Sequence, residues 1–154
     1  MSVALDTPRV IDTTNRLAVS KRALIRRSHQ RAEAIFTRHA GSDGVTPMQF
    51  DVLAATSVRQ PCSQTDLVHA TGIDRSTLSD LVTRLTKKGY LVRRRDTNDA
   101  RAFRVRLSQL GANKLPGLWK IALLTDQELV ATLSRVERAD LTEMLSRVVT
   151  RSGE

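Results

Sequence analysis

The chain has 154 residues and a single cysteine, Cys62. One thiol excludes an intrachain disulfide and suits a reducing compartment. No apolar run is long enough to span a bilayer. The polar N-terminus, acidic at Asp6 and Asp12, lacks the hydrophobic core of a signal peptide. A cytoplasmic protein with no membrane partner is expected. No nucleophile motif or phosphate-cradling glycine loop is present, so an enzyme is not expected. His29, His39 and His69 show no ligand spacing, so neither a metal nor another cofactor is expected. Internal repeats and low-complexity segments are absent. Acidic residues are also scarce: 16 Asp and Glu stand against 25 Lys and Arg, a net charge of +9. Such an excess draws polyanions and speeds their encounter, but nucleic acid, acidic partners and anionic surfaces would all answer. Local pattern has to decide among them.

That pattern is strongest from Ser63 to Gly111. Ser63-Gln64-Thr65-Asp66 opens a short helix, because a Ser side chain accepts the orphan amide hydrogens of a first turn and Asp favours the positive helix end. Thr71-Gly72-Ile73-Asp74 is a turn. A second helix runs from Asp74 to about Lys88 and stops at Gly89. Tyr90–Arg95 and Ala102–Leu107 read as strands flanking a basic loop. A helix-turn-helix followed by a basic hairpin is a DNA-reading device.

Around this unit lie helices. Asp12 or Thr13 can cap a long first helix reaching about His39, and Ala40 to Gly44 breaks it. Thr46-Pro47-Met48-Gln49 starts another, with Thr as cap and Pro in the first turn, and Arg59-Gln60-Pro61 closes it. Ser108 begins a further long helix, with a kink expected at Pro116-Gly117. Ser134-Arg135-Val136-Glu137 is a capping box for a last helix striped by Leu141, Leu145 and Val148. Terminal helices with this much apolar surface predict a two-fold dimer. The fold class is therefore mainly α with a small β-hairpin wing. The divisions are 1–40 for an N-terminal arm and dimerisation helix, 45–111 for the DNA-binding unit and 112–154 for C-terminal dimerisation helices.

Ser63 to Leu67, Asp74-Arg75-Ser76-Thr77-Leu78-Ser79-Asp80-Leu81-Val82 and Leu85 to Leu91 together resemble the MarR family of winged-helix transcriptional regulators. The resemblance covers nearly the whole chain. The wing pattern follows in Arg94, Arg95, Asp96, Asp99-Ala100-Arg101 and Leu107 to Gly111. The family's wing tip usually shows Asp-x-Arg or Asp-Arg-Arg. Here Asp99 and Arg101 match, with Ala100 between them.

On DNA, the second helix would enter the major groove, where base edges are distinguishable. It would present Asp74, Arg75, Ser76, Thr77 and Ser79, with Arg75 and Thr77 nearest the bases. Arg84, Lys87 and Lys88 suit phosphates, as do the hydroxyls of Ser63 and Thr65. Arg94 and Arg95 belong to the same basic wing. Arg101 would enter the minor groove, oriented by Asp99. A solvated charged surface is the bland alternative.

The resemblance further implies a repressor released by a small effector lodged between the dimer-forming helices and the winged domain. Ile25, His29, Ala32 and Phe36, then Met48 and Val52, then Trp119 and Leu123 are the candidate lining. Each equally suits plain core. Ile25 to Arg31, Ile35-Phe36 and Thr46 to Phe50 are similar to regulators of aromatic-acid degradation, including those answering hydroxycinnamoyl-CoA thioesters such as p-coumaroyl-CoA. Arg22, Arg26, Arg27 and Arg31 would hold CoA phosphates, or form a solvated charge run. Two rivals stand beside this. Cys62, ahead of a helix start, would be a redox-sensing thiol if its pKa were lowered. An architectural DNA-binding protein would lack any ligand response.

Overall fold

The computed structural model describes residues 20–96 and 103–150. The expected caps Asp12 and Thr13, and the wing-tip residues Asp99, Ala100 and Arg101, lie outside them. In chain order the elements are α1 (Lys21–Ala40), a 3-10 turn (Gly41–Asp43), α2 (Pro47–Val58), β1 (Cys62–Ser63), α3 (Gln64–Thr71), α4 (Arg75–Lys87), β2 (Leu91–Arg95), β3 (Phe103–Leu107), α5 (Gln109–Leu129) and α6 (Arg135–Thr150). This is a winged helix-turn-helix flanked by helices, as expected.

Local chemistry sets most boundaries. Thr46 and Gln49 close a capping box on α2, with Pro47 in the first turn, where its missing N–H breaks no bond. Ser63 and Asp66 do the same for α3: the Asp66 amide donates to Ser63 Oγ at 3.1 Å, and the Ser63 amide donates to Asp66 Oδ2 at 2.8 Å. Gly72 ends α3 at φ 69°, a left-handed conformation that a side chain disfavours. Asp74 caps α4, and Ser134 with Glu137 caps α6. α5 runs on through Pro116 as one helix.

The sheet has the order β1-β3-β2, all antiparallel. β2 and β3 form the expected hairpin, paired from Leu91↔Leu107 to Arg95↔Phe103. β1 was not expected. Its two residues pair Cys62 with Val105 and Ser63 with Arg104, joining the hairpin to the start of the helix-turn-helix. A single core runs from Phe36 through Phe50, Leu53 and Leu67 to Leu78, Leu85, Leu91, Val105 and Leu118. Gly111, in the first turn of α5, lies against the Tyr90 backbone. A Cβ there would sit 2.1 Å from the Tyr90 carbonyl oxygen, so only glycine allows α5 to leave the sheet at that point. α1 packs along α5, and Glu128 of α5 takes both Arg38 and His39 of α1, the latter at 3.0 Å. Among the described residues no helix is long and apolar enough to cross a membrane.

Candidate nucleic-acid interface and adjoining cleft

α4 is held by one face and displayed by the other. Leu78, Leu81, Val82 and Leu85 recur at helical spacing and are buried. Each contributes about 1.5–3 kcal/mol from area removed from water. Arg75, Ser76, Ser79, Arg84 and Lys87 are exposed. Thr77 is half-buried. Asp74 accepts from the Thr77 amide at 3.0 Å, and the Thr77 hydroxyl also bonds to it; these bonds hold the Asp74 carboxyl below its ordinary range. Asp74 and Thr77 are thus the helix's own cap, which leaves Arg75, Ser76 and Ser79 as the exposed groups at this end outside the cap.

The structure brings Arg75 and Thr65 together. The guanidinium donates to Thr65 Oγ1 at 3.3 Å, and Gln64 Nε2 donates to the Arg75 carbonyl at 3.1 Å. The start of α3 and the start of α4 therefore present one polar edge, with Ser63 engaged as the α3 cap beside it. Lys88 is engaged elsewhere. Its Nζ donates to the Gly44 carbonyl at 2.6 Å, tying the end of α4 to the loop before α2.

Five arginines stand on the two hairpin strands. Arg94, Arg104 and Arg106 share one face, by the register. On the other, the Arg93 guanidinium lies 3.8 Å from the Phe103 ring centroid. Arg94 and Arg95 are exposed. Arg104, not singled out from the sequence, donates from Nε to Asp96 Oδ2 at 2.5 Å and places a second nitrogen 3.8 Å from Asp66 Oδ2.

Beside the helix-turn-helix opens a cleft of about 980 Å³. α2 supplies Phe50, Asp51, Ala54, Ala55 and Val58 to its wall, α3 supplies Asp66, Leu67, His69, Ala70 and Thr71, and α5 supplies Trp119; Arg59 and Cys62 complete it. Trp119 is 50% exposed and meets Phe50 edge to face at 5.1 Å, with Phe36 behind Phe50 at 5.6 Å. Burial pushes the Asp51 carboxyl up; His29 opposes this and Glu33 adds to it.

Of the expected lining only Trp119 borders this cleft. Phe36 and Val52 are buried core; Met48 and Ile25 are exposed. His29 is exposed on α1 and finds its partner in Glu33, 3.7 Å away one turn on. Arg22, Arg26, Arg27 and Arg31 line the exposed side of α1, outside the cleft wall. The α3 wall, with Asp66 and His69, and the single Arg59 carried no sequence signal, because only the packing of α3 against α2 brings them round one cavity.

Cys62 corrects the redox expectation. It lies ahead of α3 as read, but in β1 and 2% exposed, with Sγ 3.5 Å from the Val105 carbonyl oxygen. Burial pushes the thiol up, the opposite of what a sensing thiolate needs.

Comparison with known proteins agrees with this geometry. A profile of the MarR family matches residues 43–102. The HTH-type transcriptional repressor NicR of Pseudomonas putida is 29% identical over 126 residues, spanning 82% of this chain and 80% of NicR. A probable transcriptional regulator from Pseudomonas aeruginosa superposes with a TM-score of 0.80 at 33% identity, over 86% of this chain and 99% of that one. BpsR of Bordetella bronchiseptica, whose DNA binding is regulated by 6-hydroxynicotinic acid, superposes with a TM-score of 0.77 at 30% identity, over 82% of this chain and 96% of BpsR.

Proposed function

The chain belongs to the MarR family of transcriptional regulators, and on that premise we propose that it is a dimeric, cytoplasmic repressor that reads a palindromic operator and lets go when an aromatic acid or its CoA thioester occupies the cleft. The observation that carries the DNA half is α4: one face buried, the opposite face basic and hydroxyl-bearing. α4 would lie in the major groove, with Arg75, Ser76 and Ser79 toward base edges and Arg84, Lys87 and Thr65 on phosphates. Arg94 and Arg95 would follow the backbone beside it. A dimer would set two copies of α4 roughly 34 Å apart, which asks for half-sites about 10 base pairs apart. Residues 1–40 and 112–154 would make the dimer, and 45–111 the reading unit.

Support for the effector half comes from the cleft and from BpsR. The Phe50–Trp119 pair offers a ring a stacking wall, and Arg59 offers a carboxylate a counter-charge. A CoA thioester, with p-coumaroyl-CoA the best candidate, would send its phosphates out of the cleft toward Arg22, Arg26 and Arg27 of α1. Genes for aromatic-compound breakdown are the fitting targets. An effector acts only by favouring a spacing of the reading helices that misfits the operator.

The test is binding of the protein to its own upstream DNA by fluorescence anisotropy at fixed salt, with p-coumaroyl-CoA, p-coumarate or neither. Release by the thioester alone supports the CoA reading; release by the acid alone moves recognition to Arg59. A tight, sequence-specific complex indifferent to both would leave the regulator and remove this effector class. Equal binding to every duplex would favour the architectural alternative.

A further inference from the structure

Arg104 is out of keeping with the other hairpin arginines. The register sets it directly opposite Arg94 on the same face, an arrangement that repels. Arg94 stays exposed to solvent. Arg104 is instead drawn between two carboxylates from different places: Asp96, just past the end of β2, and Asp66, in the first turn of α3. Asp66 already caps α3 through Ser63, and Ser63 pairs with Arg104 across β1 and β3. Arg104, Asp66 and Ser63 thus close a ring over the junction between the hairpin and the helix-turn-helix, and Asp96 holds Arg104 from the end of β2. Arg104 is exposed like Arg94, but its guanidinium has two carboxylates offsetting its charge and one donor committed to Asp96, which weakens its pull on a phosphate.

We propose that Arg104 is a positioning residue, which pins the β2–β3 hairpin to the first helix of the helix-turn-helix through Asp96 and Asp66 and so sets where Arg94 and Arg95 stand on DNA. This rests on the DNA-reading assignment above. It carries an unusual sign. On charge alone, neutralising Asp96 beside a polyanion tightens binding. If Asp96 works by holding Arg104, neutralising it weakens binding.

The experiment uses a duplex enriched by the unaltered protein from a random library, and anisotropy titrations at fixed salt. Arg104→Gln, Asp96→Asn and the double variant are compared, with thermal melts confirming that each is folded. Each single change weakens binding about tenfold, and the double variant is no weaker than either single. Asp96→Asn binding as tightly as the unaltered protein, or tighter, overturns the proposal, because Arg104 then meets phosphate by itself. Losses that add in the double variant also overturn it, because Asp96 then acts through another neighbour. Failure of the unaltered protein to enrich any duplex sinks the DNA-reading assignment, and this role of Arg104 with it.

Discussion

Helices α4 and α6 obey similar local rules. α4 opens on the capping side chain of Asp74, and α6 on the capping box of Ser134 and Glu137. Each carries an apolar stripe beside charged residues. Yet α4 buries Leu78, Leu81, Val82 and Leu85, while none of the described residues of α6 is buried, and Val136, Met144, Leu145, Val148 and Val149 stand exposed. Amphipathicity states that a helix has a face to cover; it does not state what covers it. For α4 the chain supplies α2, α3 and β2. For α6 the proposed partner is the second protomer. Among the described residues, the reading helix has its apolar face covered within one chain, and the terminal helix does not.

The contrast breaks most sharply at the joint between the two regions. Gly111→Ala drives a Cβ into the Tyr90 carbonyl and forces α5 off the sheet, costing on the order of 3 kcal/mol. A thermal melt that left Tm unchanged would show that the joint gives way easily. Leu85→Ala is of comparable size, at about 2–5 kcal/mol whatever the protein concentration, because its cavity lies within one chain. Leu145→Ala sharpens the comparison. Its loss appears only where the dimer forms, so Tm should depend on concentration in the unaltered protein and less so in the variant. Equal losses at all dilutions would mean that α6 is covered within its own chain. Ser63→Ala, removing a cap from the reading unit, costs about 1 kcal/mol by the same measurement.

The smallest effect is with pH. Asp66 and Asp74, held low by their hydrogen bonds to Ser63 and Thr77, and Glu128, held low by Arg38 and His39, give stability that is present above the ordinary carboxylate range. It fades as pH falls through their lowered values. Asp51, raised by burial, has the opposite sign: its cost appears as pH rises through its raised value. Asp74→Asn keeps a capping oxygen and removes that titration, so its melts in acid should fall less steeply than those of the unaltered protein.

What was legible in the sequence was local. Caps at Thr46, Ser63 and Ser134 are bonds across three residues, and each formed. Leu78, Leu81, Val82 and Leu85 recur at helical spacing, and that spacing marks the face that α4 buries. What required the fold was anything joined at long range. β1 is too short to show alternation, and its partner lies 43 residues away. Arg104 looked like one more basic strand residue until Asp66 and Asp96 met it. The cleft expected among α1, α2 and α5 shares α2 and α5 with the one beside the helix-turn-helix, whose third wall is α3, because helix spacing names the faces of a helix but not which neighbour meets them.

The burial of Cys62 has a practical consequence. The chain's one thiol is shielded and reluctant to ionise, so maleimide chemistry meets almost no background in the native protein. A cysteine placed on an exposed site such as Ser79 of α4 becomes the sole address for a spin label or dye. In a dimer the two labels form a ruler between the reading helices, and their separation, with and without an effector, can be followed in the intact protein.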